Sequence, residues 1–378
     1  MFTRSGLWLT PVNTLRCSAF SRGKVDGGAG LFSLNEEYSK LAQNAPIDWS
    51  RLAGKTVFVT GGTGLIGGCC IRLLLEHNRL SEDRVKVVAL VRDADKFEKK
   101  LEGYSEQDGL ELVVGDLTTL DFSSLSCDFV IHAGCPTSSD FFMNHPAETA
   151  LTIVDGTRNM LEFARASRCE SFVYVSSMEV YGDGNSGRGL TRKLGEQDVG
   201  YVNPLNIRSC YPEGKRMAEL LTCAYAREYD LQACIVRLAQ TFGPGVSRDD
   251  KRVFMQFARA AMNGEDIVLK TTGESTRMYS YTTDAVTAIF AALLNGAAGR
   301  AYNAANEATY SSVREMAEMV LREHASGVCE VRIEVDPNAP YPPEHHLPLD
   351  TASLQRLGWE AQVGLSGMFK RLIAYLRD

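Results

Sequence analysis

Val57-Phe-Val-Thr-Gly-Gly-Thr-Gly-Leu-Ile-Gly67 carries three glycines, Gly61, Gly64 and Gly67, directly after a run of strand-forming residues and directly before an apolar helical stretch. The glycines have separate tasks. Gly61 permits a tight turn, Gly64 lets the main chain approach a pyrophosphate, and Gly67 lets helix and strand pack closely. A phosphate then meets the backbone at Leu65, Ile66 and Gly67, where unpaired N–H groups and the positive end of the helix dipole point outward. A glycine triplet alone also marks structural turns. Here a strand precedes it, a helix follows it, and another strand begins about 25 residues on, which together favour a dinucleotide site.

Outward from this loop, short runs rich in Val and Ile alternate with helical stretches, the pattern of a parallel sheet covered on both faces. Strands are expected at Thr56 to Thr60, Lys86 to Val91, Leu110 to Val114, Phe129 to His132, Phe172 to Ser176 and Ala233 to Arg237. Right-handed crossovers between them give a doubly wound α/β sheet, whose ligand crevice lies at the carboxyl ends of the strands. After Gly243-Pro244 the alternation loosens, with helices expected at Val253 to Asn263 and Ser311 to His324. The chain therefore divides into an N-terminal extension (1–50), a dinucleotide-binding domain (51–240) and a smaller α/β substrate lobe (241–378), partly interleaved with the domain before it.

With 378 residues, 44% of them hydrophobic, the chain can fill a full core. A formal charge of −7 argues against nucleic acid as a partner, since such domains concentrate basic charge on one face. Ten cysteines include no CxxC pair and no His/Cys cluster, so no metal and no disulfide framework is expected, and the thiols read as those of a reducing, cytoplasmic compartment. No apolar run approaches the roughly 18 residues of a membrane span. Arg4, Arg16, Arg22 and Lys24 all precede the first acidic residue, Asp26. That composition resembles an organelle transit peptide, but without a clear amphipathic period or cleavage pattern the favoured reading is a disordered extension or an upstream start codon.

Three further strand ends carry cofactor candidates. The second strand ends Ala89-Leu-Val-Arg-Asp93, so Val91 stands where an acidic ribose ligand is usual, and the guanidinium of Arg92 is placed to receive a 2′-phosphate. This favours NADP over NAD. Gly115-Asp116-Leu117 ends the third strand, where the Asp116 carboxylate can accept from an adenine amino group or simply cap its loop. Ile131-His-Ala-Gly134 ends the fourth, with Ala133 leaving room for a ligand and His132 placed for packing.

Ser176-Ser-Met-Glu-Val-Tyr-Gly182 follows the fifth strand, and Tyr211-Pro-Glu-Gly-Lys215 opens the next helix. Positions i and i+4 share a helix face, so Lys215 can stand near the Tyr211 hydroxyl, favour its phenolate and make it a base for a substrate hydroxyl. Ser177 would orient that hydroxyl. Tyr211 and Lys215 also border the expected nicotinamide position.

These stretches, with Thr241-Phe-Gly-Pro244 and Leu357-Gly-Trp359, resemble the extended short-chain dehydrogenase/reductases, in particular the NAD(P)-dependent nucleotide-sugar epimerases, dehydratases and decarboxylases, from about Gly54 onward. Val202-Asn-Pro204, Arg208-Ser-Cys-Tyr211 and Glu213-Gly-Lys-Arg216 are most similar to UDP-glucuronate decarboxylases. The resemblance implies oxidation of the sugar at carbon 4, loss of the carboxylate and return of the hydride. It also implies an active-site role for Glu179 and nucleotide-sugar contacts for Arg208, Gln240, Arg252 and Arg277. The chain departs from the pattern at Met178, where relatives carry Ser or Asp, at Ile153, where many have Asn, and at Gln240, also an Asn in relatives. Carbon-4 epimerisation, 4,6-dehydration, net carbonyl reduction with NADPH and a non-catalytic scaffold are the competing expectations. A homodimer is expected through the helices spanning Ala150 to Ala166 and Pro212 to Tyr229.

Overall fold

The computed structural model describes residues 14–15, 32–184, 192–336 and 344–377; Arg4, Arg16, Arg22 and Lys24 lie outside them. In chain order the first strands are β1 (Thr14–Leu15), β2 (Thr56–Thr60), β3 (Lys86–Val91), β4 (Leu110–Val114), β5 (Phe129–His132), β6 (Ser171–Ser177) and β7 (Ala233–Leu238). The later ones are β8 (Gln240–Phe242), β9 (Ile267–Leu269), β10 (Thr276–Tyr281), β11 (Ala301–Ala304), β12 (Asn306–Ser312), β13 (Val331–Ile333) and β14 (His346–Leu347). The main sheet runs β1-β4-β3-β2-β5-β6-β7-β11. Seven of its strands are parallel, and β1 pairs antiparallel with the β4 edge. All six expected strands are present. The seventh parallel strand, β11, was not legible because its Ala-Tyr-Asn-Ala sequence puts an amide at its centre. Asn303 is fully buried there and donates to the carbonyls of Leu194 and Asp350 at 3.1 and 3.0 Å.

Among the described residues the α-helices are, in chain order, α1 (Leu34–Asn44), α2 (Leu65–Leu80), α3 (Ala94–Lys100), α4 (Ser139–Asn144), α5 (Pro146–Ser167), α6 (Cys210–Glu228), α7 (Val253–Asn263), α8 (Thr282–Asn295), α9 (Val313–His324), α10 (Ala352–Gln355) and α11 (Leu365–Arg377). Successive strand residues serve opposite faces. Val57 and Val59 pack with Cys69, Leu73 and Ile289 beneath α2 and α8, whereas Phe58 packs with Met160, Phe163 and Ala218 beneath α5 and α6. Each such side chain taken from water contributes about 1.5–3 kcal/mol, so the two-sided core is the main source of stability.

Both proposed boundaries are crossed by packing. Within the 1–50 extension, α1 lies against α2, Tyr38 is fully buried, and Ser33 caps the helix by accepting from Glu36 N at 3.2 Å. Past residue 240, α8 and β11 complete the main sheet and its core. The remaining later elements form a second core around Phe242, Phe254, Tyr279 and Phe369. Here β10 pairs parallel with β8 and β14 and antiparallel with β12, with an irregularity between Arg277 and Tyr279. No helix among the described residues is long and apolar enough to cross a membrane.

Candidate active site

The strand order reverses between β2 and β5, which opens the crevice at their carboxyl ends. Gly61 has φ +73°, and a Cβ there would meet the Ala133 carbonyl oxygen at 2.8 Å. A Cβ on Gly67 would collide with the carbonyl oxygen of Gly61, so helix and turn approach as the sequence requires. Gly64 occupies the N-cap of α2, and no side chain caps that helix start. The main chain of Leu65 and Ile66 therefore faces the crevice with its helix dipole, an arrangement that fits a dinucleotide pyrophosphate. Thr60 Oγ1 accepts from Gly134 N at 2.9 Å and pairs with His132 Nδ1 at 2.8 Å, while His132 Nε2 pairs with Thr157 Oγ1 at 3.1 Å. Burial lowers the His132 pKa to about 3, so a neutral imidazole ties β2, β5 and α5 together.

Arg92 and Asp116 converge at the ends of β3 and β4. Arg92 is exposed, and its charge helps to lower the Asp116 pKa, though hydrogen bonds from the Thr118 hydroxyl and N–H are the larger causes among the groups that lower it. Asp116 thus caps its own loop and still presents a carboxylate beside Arg92. Leu117 is turned inward. Its side chain packs where a Cβ on Gly156 would stand, and its carbonyl accepts from Asn159, so a direct ligand contact by that side chain is not supported.

The catalytic candidates meet at the end of β6. Tyr211 is 8% exposed, the Ser177 side chain stands close enough to favour its phenolate, and its ring stacks on Phe142 at 5.4 Å. Ser177 Oγ also accepts from Glu179 N at 3.2 Å, which ties the two loop residues to each other. Burial is the largest influence on Tyr211 and raises its pKa; the neighbouring Ser177 side chain and the charge of Arg252 act in the opposite direction. Lys215 departs from the expected pairing with the hydroxyl. Its ammonium donates to the Val175 carbonyl at 2.8 Å and stands 5.8 Å from the Tyr211 ring centroid. The i, i+4 spacing brings the two side chains to one face, but the buried ammonium donates to the Val175 carbonyl of β6.

Glu179 and Arg208 form a forked pair, with Nη1 to Oε2 at 3.0 Å and Nη2 to Oε1 at 3.4 Å. Arg277 donates to Gln240 Oε1 at 3.3 Å and pairs with His345 Nε2 at 2.9 Å, while its buried Nε has no hydrogen-bond partner. Arg252 is drawn back onto Asp250 at 2.6 Å. Met178 is 6% exposed and packs with Val180, Tyr181, Met278 and Leu347, so position 178 seals the joint between the lobes rather than facing the reacting centre. Ile153 lies 3.2 Å from where a Cβ on Gly214 would be, which makes that position a packing contact between α5 and α6.

Three contributors carried no sequence signal. Phe142 supports the Tyr211 ring from α4, and His345 reaches Arg277 from 68 positions away. Behind the loop, Glu219 accepts from Arg237 at 2.9 and 2.7 Å and from Ser176 Oγ at 2.6 Å. Arg237 also donates to the Tyr181 hydroxyl at 3.1 Å, and Tyr181 donates to Asn303 at 2.6 Å. This buried network brackets Ser177 and Glu179 from both sides. Glu219 follows Lys215 at helical spacing, but nothing in a single sequence distinguishes a buried acid from a solvated one.

Among known proteins, the chain is 31% identical to UDP-glucuronic acid decarboxylase 6 of Arabidopsis thaliana over 309 residues, covering 82% of this chain and 85% of that one. It is 28% identical to UDP-glucuronic acid decarboxylase 1 of Xenopus tropicalis, covering 85% and 72%. Among solved structures, UDP-glucuronic acid 4-epimerase from Bacillus cereus, in complex with UDP-glucuronic acid and NAD, superposes with a TM-score of 0.69 at 20% identity, covering 85% and 99%. The dTDP-glucose 4,6-dehydratase DesIV from Streptomyces venezuelae does so with a TM-score of 0.68 at 22%, covering 85% and 97%. At those identities the structural likeness is one of fold. The sequence model of the NAD dependent epimerase/dehydratase family matches residues 57–305, the segment that holds the glycine loop, Ser177, Tyr211 and Lys215, and the chain belongs to that family.

Proposed function

We propose that this enzyme binds a nicotinamide dinucleotide at the glycine loop and decarboxylates a UDP-linked uronate, by way of oxidation at sugar carbon 4. The forked Glu179–Arg208 pair beside Tyr211, whose phenolate the neighbouring Ser177 side chain favours, carries this reading. Ser177 orients the carbon-4 hydroxyl and Tyr211 accepts its proton, while the nicotinamide, when bound, takes up the hydride and returns it. Oxidation places the sugar carboxylate β to a carbonyl, where loss of carbon dioxide is facile. Glu179, beside the same centre, then handles the proton that replaces the lost carboxylate. The charge of oxidised nicotinamide and of Lys215 favours the Tyr211 phenolate, in opposition to its burial. Arg277 suits a diphosphate, since its partners Gln240 and His345 leave Nε unpaired.

Glu179→Gln separates decarboxylation from epimerisation. With UDP-glucuronate the variant is expected to stop after oxidation and accumulate reduced nicotinamide, read by its absorbance in a single turnover. An epimerase, which needs no proton transfer at carbon 5, would keep most of its activity, and that result would replace the decarboxylase reading.

Two finer assignments belong to the same proposal. NADP preference rests on Arg92, whereas the structures named above point to NAD. Arg92→Ala is expected to weaken NADP by about tenfold, the loss of one charge-assisted contact, and to spare NAD. Equal loss of both in calorimetry would remove Arg92 from the cofactor site. The homodimer rests on the side-by-side packing of α5 and α6, which leaves Leu151 and Leu220 58% and 61% exposed. Light scattering at micromolar concentration is expected to give twice the chain mass; a monomer mass excludes it. The free thiols of the described cysteines support a reducing, cytoplasmic setting.

A further inference from the structure

Two Glu–Arg pairs flank the Ser177 turn, and they are built differently. Glu219 and Arg237 are 10% and 7% exposed, and each has additional hydrogen bonds to Ser176, Tyr181 or the Glu196 carbonyl. Glu179 and Arg208 are 31% and 41% exposed and hold one another through an uneven fork of 3.0 and 3.4 Å. An ion pair so open to water is held weakly, and its geometry is that of a guanidinium around any carboxylate. The first pair is fixed. The second can exchange.

Arg208 is positioned for such an exchange from the backbone upward. It sits in a single 3-10 turn, Ile207–Ser209, whose start is capped by Asn206 accepting from Arg208 N at 3.0 Å. Its guanidinium lies 5.7 Å from the centroid of the Phe142 ring, the same ring that stacks on Tyr211. Glu179 in turn hangs from Ser177, and its charge raises the Tyr211 pKa. The fork therefore stands against the groups assigned to the reacting carbon. Arg277 has a different neighbourhood, since it is held by an amide and an imidazole and gives up no carboxylate when an anion arrives.

We infer that the Arg208–Glu179 pair is a substrate-opened latch: the carboxylate of a uronate takes the place of Glu179 on Arg208, and Glu179 is released toward the sugar. The inference rests on the uronate reading above. The exchange keeps Arg208 paired throughout, because one carboxylate replaces another on one guanidinium, and the released Glu179, already 31% exposed, is left to the sugar hydroxyls and water. A neutral hexose offers nothing to replace Glu179, so the pair stays closed and the proton-handling carboxylate stays occupied. Specificity for the acidic sugar then arises from the enzyme's own carboxylate acting as the competitor that any substrate must displace.

The latch makes an unusual demand on binding. Glu179→Gln removes the competitor for Arg208, so calorimetry on the full chain with its cofactor is expected to show UDP-glucuronate binding about threefold to tenfold more tightly, with UDP-glucose changed less than about twofold. Arg208→Met is expected to weaken UDP-glucuronate by about thirtyfold and again to spare UDP-glucose, and adding Glu179→Gln to it should change nothing further. Arg208→Lys, which keeps the charge without the fork, should fall between. Weaker uronate binding in Glu179→Gln, or equal shifts for both nucleotides, would show a static pair and overturn the latch. If the unaltered enzyme decarboxylates UDP-glucuronate yet Glu179→Gln binds it no more tightly, the latch alone falls. If the unaltered enzyme prefers UDP-glucose, latch and uronate reading fall together.

Discussion

Tyr211→Phe is expected to lower turnover on UDP-glucuronate by about two to four powers of ten, the range that a positioned general base supplies. The variant removes one oxygen and little else. The ring keeps its stack on Phe142, Ser177 keeps its bond from Glu179 N, and the 8% exposure of the residue means that no large surface is uncovered. Substrate affinity should therefore move only a few-fold, so the loss appears in kcat rather than KM. No neighbouring group is placed as a substitute: Lys215 is engaged by the Val175 carbonyl, and Glu179 is held by Arg208. Turnover within a few-fold of the unaltered enzyme would require abandoning the catalytic assignment as a whole. The same experiment tests the raised pKa of Tyr211. Because burial holds the phenol above its ordinary value, the phenolate must be favoured by cations that arrive with the nicotinamide, and kcat/KM should rise with pH across the neutral range.

What the sequence revealed and what it hid follow a physical division. Strands β2 to β5 were legible to the residue because each is a short, mostly apolar run, largely buried and bounded by turns. The glycine loop was legible because only glycine satisfies its backbone, as Gly61 and Gly67 show. In contrast, α1 was consigned to an extension because its eleven residues are mostly polar, and only Tyr38 and Ala42 are buried beneath it. Strand β11 escaped notice because its central amide is satisfied by carbonyls far away in the chain, a form of burial that has no local pattern.

The site divides in the same way. Ser177, Tyr211 and Lys215 sit at spacings fixed by one strand end and one helix turn, so their convergence could be read. The destination of the Lys215 ammonium could not be read, since the Val175 carbonyl comes from 40 positions earlier. Leu117 and Met178 lie at a strand end and beside a catalytic candidate, and both turn their side chains into a core. Sequence proximity fixes where the backbone is. Packing decides which way the side chain goes.

The buried pair behind the turn leads to the largest expected effect on stability. Arg237→Met leaves the Glu219 carboxylate, 10% exposed, with only the Ser176 hydroxyl as a hydrogen-bond donor in place of three polar donors. It also removes the donors to Tyr181 and to the Glu196 carbonyl, which join the β6 turn to the segment before Asn203 and to β11. Breaking one side of such a pair typically costs about 3–5 kcal/mol, because a charge remains buried without its partner. Urea unfolding should therefore show a midpoint lowered by that cost divided by the slope, at an unchanged slope. The double variant Glu219→Gln with Arg237→Met removes both charges and is expected to lose less than the single one, the sign that separates an orphaned charge from lost packing. Turnover should fall in Arg237→Met even where the protein remains folded, since Ser176 precedes Ser177 and Tyr181 closes the turn that carries Glu179. A single variant that lost less than about 1 kcal/mol would mean that water reaches Glu219 and replaces the guanidinium. A double variant less stable than the single would mean that hydrogen bonding within the network, rather than its charge balance, holds the Ser177 turn in place.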